Sequence, residues 1–173
     1  MSGHSKWNNI KLRKGAQDKK RASIFTRLSN AITISVKKGG IDPDTNPSLR
    51  LCMQKAKEAN MPKDKIEYAI KKGSSKDASN LEEVTYEFYG PFGVAFVIKC
   101  HTDNRNRTAG EVRSILNDFN LSLASPNSSQ YIFVGENQTP SFKVELSEDD
   151  SEKINNIQDA FEELEGVYEI LHN

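Results

Sequence analysis

Apolar side chains recur along residues 23–38 at three- and four-residue steps, through Ile24, Phe25, Leu28, Ala31, Ile32 and Val36, which predicts an amphipathic helix. Lys37 and Lys38 suit its negative end, and Gly39-Gly40 supplies a left-handed stop. The segment IDPDTNP reads as a turn. Asn46 then caps, and Pro47 opens, a second helix running to about Ala59. Leu49, Cys52, Met53 and Ala56 share one face of it, a core face on which Cys52 is a small buried hydrophobe. After Asn60-Met61-Pro62, the residues Ile66, Ala69 and Ile70 mark a shorter third helix that stops at Gly73. Residues 74–80 are small and polar, which places a domain boundary there.

Beyond that boundary the period changes from helical to alternating. Val84, Tyr86 and Phe88 alternate, Gly90-Pro91-Phe92-Gly93 turns the chain, and VAFVIKC follows, so residues 83–100 are expected to form a β-hairpin. Val112, Ile115, Leu116 and Phe119 face one side of a helix. Residues 130–134 and 142–146 read as two further strands. Ile154, Ile157, Phe161 and Leu164 define the last helix, and residues 167–171 the last strand. The fold class expected is α+β: a basic arm (1–22), a three-helix module (23–76), and a two-layer sandwich of ferredoxin-like type (77–173).

Composition adds one decisive feature. The chain has 173 residues, 36% hydrophobic and 28% charged, as suits a globular protein with a real core. Its net charge of zero conceals a partition. Residues 1–76 contain 18 Lys+Arg and 6 Asp+Glu, a balance of +12, and residues 77–173 carry the opposite balance of −12. Such a split implies a basic binding module joined to an acidic one, the alternative being mutual neutralisation of the two halves. The opening stretch is the extreme case: Lys6, Lys11, Arg13, Lys14, Lys19, Lys20 and Arg21 stand against Asp18, with Trp7 among them. Dense positive charge with a planar aromatic suits a polyanion; the alternative is a solvated basic tail. Lys71 and Lys72 extend the basic surface.

Apolar runs fall short of the roughly 20 residues of a membrane span, and the polar, basic start is unlike a secretory signal. Cys52 and Cys100 imply no disulfide framework and suit a reducing, cytoplasmic setting. His4, His101 and His172 lie far apart, and Cys100 and His101 point to opposite faces of a strand, so no metal site is expected. Neither a phosphate-cradling Gly-rich loop nor a nucleophile elbow occurs. A non-enzyme without cofactor or small-molecule substrate is expected. One internal run, Asp103-Asn104-Arg105-Asn106-Arg107-Thr108, lies at a strand-to-helix turn. Arg105 and Arg107 there either contact phosphate or bridge nearby acids, with Asp103 or Asn106 as helix cap.

Laid out in this way, the chain resembles the YebC/PmpR family, which includes the mitochondrial translational activator of cytochrome c oxidase. The matching stretches are SGHSKWNNIK, AQDKKR, IFTRL, GGIDPDTNPSLRL, KAKEANMPKDKIEYAIKKG, YGPFGV and TDNRNRTAGEVR, with Val167-Tyr168 near the end. The resemblance implies a shortened form, because only residues 135–139 stand where family members insert a further α/β domain. Leu12 replaces a usual histidine, and Phe88 and Phe92 occupy positions where glycines are common.

The resemblance implies control of gene expression without catalysis, through nucleic acid: rRNA, mRNA or tRNA on the ribosome, or promoter DNA. The leading expectation is an RNA- and ribosome-associated translation factor, because the helices offer mainly lysines, which contact phosphate without reading bases. A DNA-binding transcription regulator is the second reading, and a protein-interaction module the third. The candidate nucleic-acid-binding residues are Lys6, Trp7, Lys11, Arg13, Lys14, Lys19, Lys20, Arg21, Lys71, Lys72, Arg105 and Arg107.

Overall fold

A computed structural model describes residues 3–75, 80–135 and 137–173, with side chains from Gly15 onward except that of residue 16. The chain divides into two compact units, Met1–Ala78 and Ser79–Asn173. The expected boundary after residue 76 lies outside the described residues.

Three helices make the first unit: α1 (Gly3–Gly39), α2 (Pro47–Glu58) and α3 (Lys63–Ser74). The stretch expected as a separate arm is instead the first half of α1, continuous with the apolar stripe that follows. Lysine, arginine, glutamine and alanine are good helix formers, and no proline interrupts them. Phe25, Ile32 and Val36 of α1 pack against Leu49 and Ala56 of α2, Met61, and Ile66 and Ala69 of α3. Gly40 at φ +86 ends α1, its N–H bonding back to Val36 O at 2.8 Å.

Asn46 caps α2 as expected and does more. Its buried amide donates to Ser35 O (2.8 Å) and Gly40 O (2.9 Å) and accepts from Leu49 N (3.1 Å), tying the end of α1 to the start of α2. Gly73, expected as a helix stop, lies within α3 as a contact point. A Cβ there would sit 2.7 Å from Thr33 O and Val36 Cβ, so glycine lets α3 close on α1.

The second unit holds β1 (Glu82–Tyr89), β2 (Ala95–Thr102), α4 (Arg105–Asp118), β3 (Phe133–Val134), β4 (Thr139–Pro140), α5 (Glu148–Glu162) and β5 (Val167–His172). The antiparallel sheet has the order β1-β2-β5. Phe88, Phe96, Ile98 and Cys100 on one face pack under Val112 and Leu116 of α4 and Ile154, Ile157 and Phe161 of α5. Phe88 stacks on Phe96 at 4.8 Å with the rings 5° apart, and on Phe161 at 5.3 Å.

The two-layer α+β arrangement is the one expected, with a smaller sheet. Residues 130–132 form a single tight turn, and β3 pairs with β4 in a separate two-residue ladder. Residues 142–146 form no strand; Val144 and Leu146 press half-buried against the core without a ladder partner. Ile132 and Phe133 instead cover Ala95, Val97 and Leu171 on the other face of the sheet. This explains the unbroken apolar run of β2, a strand buried on both faces.

That second face encloses an acid. Glu87 is 5% exposed. Its carboxylate accepts from Asn127 N (2.7 Å), Ser129 N (2.7 Å), Ser129 Oγ (3.0 Å) and Gln130 N (2.9 Å). Burial works against the ionised form, but these donors outweigh it and hold the pKa below the ordinary glutamate value of 4.5.

Replacing Phe88 with alanine empties the centre of the ring stack and should destabilise the second unit by about 3–5 kcal/mol in urea unfolding followed by circular dichroism. Because the folded pKa of Glu87 is depressed, its contribution is complete above pH 4.5 and is lost as pH falls through the lower folded value. Glu87→Gln should therefore weaken the fold at neutral pH and flatten the acid limb of a stability-against-pH curve.

Candidate nucleic-acid interface

The helical register of α1 orders its cations before any side-chain detail is needed. Lys6, Arg13 and Lys20 recur every seven residues, and so do Trp7, Lys14 and Arg21, which makes two adjacent rows at about 3.6 residues per turn. The second row continues the line that becomes Phe25, Ile32 and Val36 farther along. Phe25 is the first buried residue among those described. At ~1.5 Å per residue, the helix spans about 30 Å between Gly3 and Phe25. The side chains of Lys6, Trp7, Lys11, Arg13 and Lys14 lie outside the described set.

Lys19, Lys20 and Arg21 are exposed. The Arg21 guanidinium lies 5.5 Å from the Phe25 ring centroid, and Lys65 Nζ of α3 lies 5.3 Å from the same centroid. Both cations are thereby held at the junction of α1 and α3, where the ring's electron-rich surface offsets their charge. Lys71 and Lys72 are exposed in the last turn of α3, where cations suit the helix dipole. Arg50, Lys55 and Lys57 are exposed along α2. Lys63 pairs with Glu67 at 3.4 Å across a fully solvated helix surface, where such a pair neutralises little of the field.

Arg105 and Arg107 belong to the second unit and are already matched by acids. Arg105 Nε meets Glu82 Oε1 at 2.7 Å, and Arg107 donates to Asp103 Oδ1 at 2.7 Å. Asn104 is the helix cap, accepting from Arg107 N at 3.1 Å, where Asp103 or Asn106 was expected. The turn is fixed by two buried hydroxyls, Thr102 and Thr108, 2.8 Å apart, with Asn104 N donating to Thr102 Oγ1 at 2.9 Å. With Asp103 drawn into its ion pair, the neighbouring amide takes the capping position.

Sequence reasoning missed a cluster on the second face of the sheet. The His101 and Tyr168 rings stack at 4.0 Å, and His101 Nε2 lies 3.7 Å from Glu83 Oε1. Burial, followed by the nearby Glu83 and Glu169 carboxylates, pushes the Tyr168 hydroxyl well above the ordinary tyrosine range. The phenol stays protonated at any physiological pH. Lys99, beside this cluster, pairs with Glu169 at 2.6 Å and also donates to Gln138. Cys100 does point to the opposite face, into the core. Among the described residues no group of three His, Cys, Asp or Glu side chains is placed to hold a metal ion, and no helix is long and apolar enough to cross a membrane.

The chain thus joins a basic three-helix unit to a small antiparallel α+β unit. The model of the TACO1/YebC protein N-terminal domain matches residues 5–76, and that of the TACO1/YebC second and third domain matches residues 81–138. A protein of Lactiplantibacillus plantarum is 47% identical over 160 residues, covering 92% of this chain and 66% of its own length. One of Bacillus licheniformis is 47% identical over 172 residues, covering 98% and 72%. One of Borrelia turicatae is 56% identical over 135 residues, covering 77% and 55%. All three are named "probable transcriptional regulatory protein". The crystal structure of a conserved hypothetical protein from Aquifex aeolicus superposes with a TM-score of 0.80 at 27% identity, covering 88% of this chain and 89% of that one. The chain belongs to the TACO1/YebC family. It spans between 55% and 72% of the length of these three bacterial relatives.

Proposed function

We propose that this chain is a non-enzymatic, cytoplasmic regulator of gene expression that binds nucleic acid, and that its target is RNA on the ribosome. The observation that carries the reading is α1. Seven cations and one acid occupy residues 6–21 of one continuous helix, Gly3–Gly39, and the cations whose side chains are described, Lys19, Lys20 and Arg21, are exposed. A phosphate chain laid along that helix would release counterions from both and relieve the repulsion among the cations. Lys6, Trp7, Lys11, Arg13, Lys14, Lys19, Lys20 and Arg21 form the primary surface, extended by Lys71 and Lys72. Arg105 and Arg107 would contribute only by exchanging their acidic partners for phosphate.

RNA is favoured over duplex DNA by the residue types. Lysines grip phosphate, whereas duplex sequence is read by several base-reaching side chains on one helix in the major groove. Trp7 adds a surface on which an unpaired base can stack. The names of the relatives favour a second reading, a regulator that binds promoter DNA. Competition between single-stranded RNA and promoter duplexes separates the two. A preference of about a thousandfold for one promoter sequence would establish the DNA reading.

Three outcomes are expected. In sucrose gradients at moderate salt the protein should travel with ribosomes or their subunits, and migration only at the top of the gradient would refute the ribosomal target. Replacing any one of Lys11, Arg13, Lys14, Lys19, Lys20 or Arg21 with glutamine should weaken RNA binding modestly and reduce the salt slope by up to ~1. Trp7→Ala should cost about 1–3 kcal/mol of affinity if the indole stacks on a base, and fluorescence of this single tryptophan would report the contact directly.

A further inference from the structure

The turn between β1 and β2 places a phenylalanine where the backbone asks for glycine. Gly90 N donates to Val94 O at 2.8 Å, and Val94 N donates to Pro91 O at 3.3 Å, closing a tight loop of Gly90, Pro91, Phe92, Gly93 and Val94. Phe92 at its tip has φ 64° and ψ 12°, in the left-handed region. There a β-carbon is crowded, and a bulky non-glycine residue is a genuine outlier. Gly93 beside it is also left-handed, at φ +78, and has open space around it.

The ring gains little from the fold in return. It is 49% exposed, whereas Phe88 and Phe96, which flank the turn on the two strands, are fully buried. A cation lies over it: Lys153 Nζ of α5 is 5.1 Å from the ring centroid. Lys153 also pairs with Asp150 at 3.1 Å, so its position is held by α5. Strain that the surrounding core does not repay points to a role outside the fold.

The geometry points to Phe92 as a stacking platform for one unpaired base of a bound RNA strand, with the Lys153 ammonium beside the ring. The inference rests on the RNA-binding function proposed above and adds to the basic helix a second contact on the other unit. A base is favoured over a protein side chain by what surrounds the ring. Anchors in protein interfaces sit within a patch of apolar neighbours that exclude water. Phe92 stands between Pro91 and Gly93 with a lysine over it, which is the aromatic-plus-cation pairing that single strands use. The acids at the start of α5, Glu148, Asp149 and Asp150, oppose a phosphate-led contact. Binding at this tip must therefore come from stacking rather than from charge, and that gives it a distinct signature.

The test uses the full chain and a fluorescein-labelled oligoadenylate of about twelve nucleotides, with anisotropy followed across a salt series. Phe92→Gly removes the ring and relieves the strained backbone. It should lower affinity by about five- to a hundredfold. The slope of log affinity against log salt should stay unchanged, because no charge is removed. The melting temperature should be equal to or above that of the wild type. Phe92→Tyr should restore binding, and a Lys19→Gln, Lys20→Gln double variant should flatten the slope instead. If Phe92→Gly binds the oligonucleotide as the wild type does, while the lysine variant does not, the stacking role is overturned and the RNA function stands; the ring is then left to a protein partner. A fall in melting temperature with Phe92→Gly would also overturn it, by showing that the ring serves the fold. Failure of the wild type to bind any single-stranded RNA would overturn both.

Discussion

Repulsion among like charges is the constraint on which the rest of this chain turns. Seven cations occur between Lys6 and Arg21 with Asp18 as the lone acid, all on one continuous helix. At close helical spacing such charges oppose the helix that carries them, and water and salt only partly screen them. The core of the first unit begins at Phe25 and stabilises the second half of α1, so helix is propagated outward from an anchored end rather than nucleated among the lysines. What remains unsatisfied is electrostatic. The family to which the chain belongs is one whose bacterial members carry the name "probable transcriptional regulatory protein".

The second unit solves a different problem, with its charge reversed. Its sheet has three strands, and a sheet that small needs cover on both faces. Helices α4 and α5 supply one cover, through the Phe88, Phe96 and Phe161 stack. The other comes from the chain around β3, where Glu87 collects three backbone N–H groups and a hydroxyl. A carboxylate with that many donors acts as a folding instruction for an irregular loop, because no regular ladder reaches residues 127–130.

How much of this was legible in the sequence depended on whether the signal was local. The helices α2 and α3, the β1–β2 hairpin and α5 announced themselves through period, cap or turn, as Asn46-Pro47 and the Gly90–Gly93 turn illustrate. The first half of α1 did not, because a helix without an apolar stripe leaves only propensity to read. Val144 and Leu146 alternate as a strand would, but alternation says only that one side meets apolar surface; a ladder also needs a free strand edge at that place. Glu87 falls between Tyr86 and Phe88 on the other face of an alternating strand, and its burial is decided by residues some forty positions away. The His101–Tyr168 stack is hidden for the same reason, whereas the bridging of Arg105 to a nearby acid was one of the two readings of its turn, and Glu82 is that acid. The partition of charge between the halves was readable from the sequence alone, whereas the strain at Phe92 became visible only with its backbone angle.

One modest feature bears on where the second unit can tolerate extra chain. The β3–β4 ladder brings Phe133 opposite Pro140 and Val134 opposite Thr139, so the chain entering and leaving residues 135–138 does so at neighbouring points. Adjacent strands sit roughly 5 Å apart, which is close enough to be bridged by a few residues or by the two ends of a whole folded module. The gateway is sealed by its own hydrogen bonds, independently of what hangs from it. A longer connection between the two strands would leave the register of the three-stranded sheet unchanged, because the ladder lies outside that sheet.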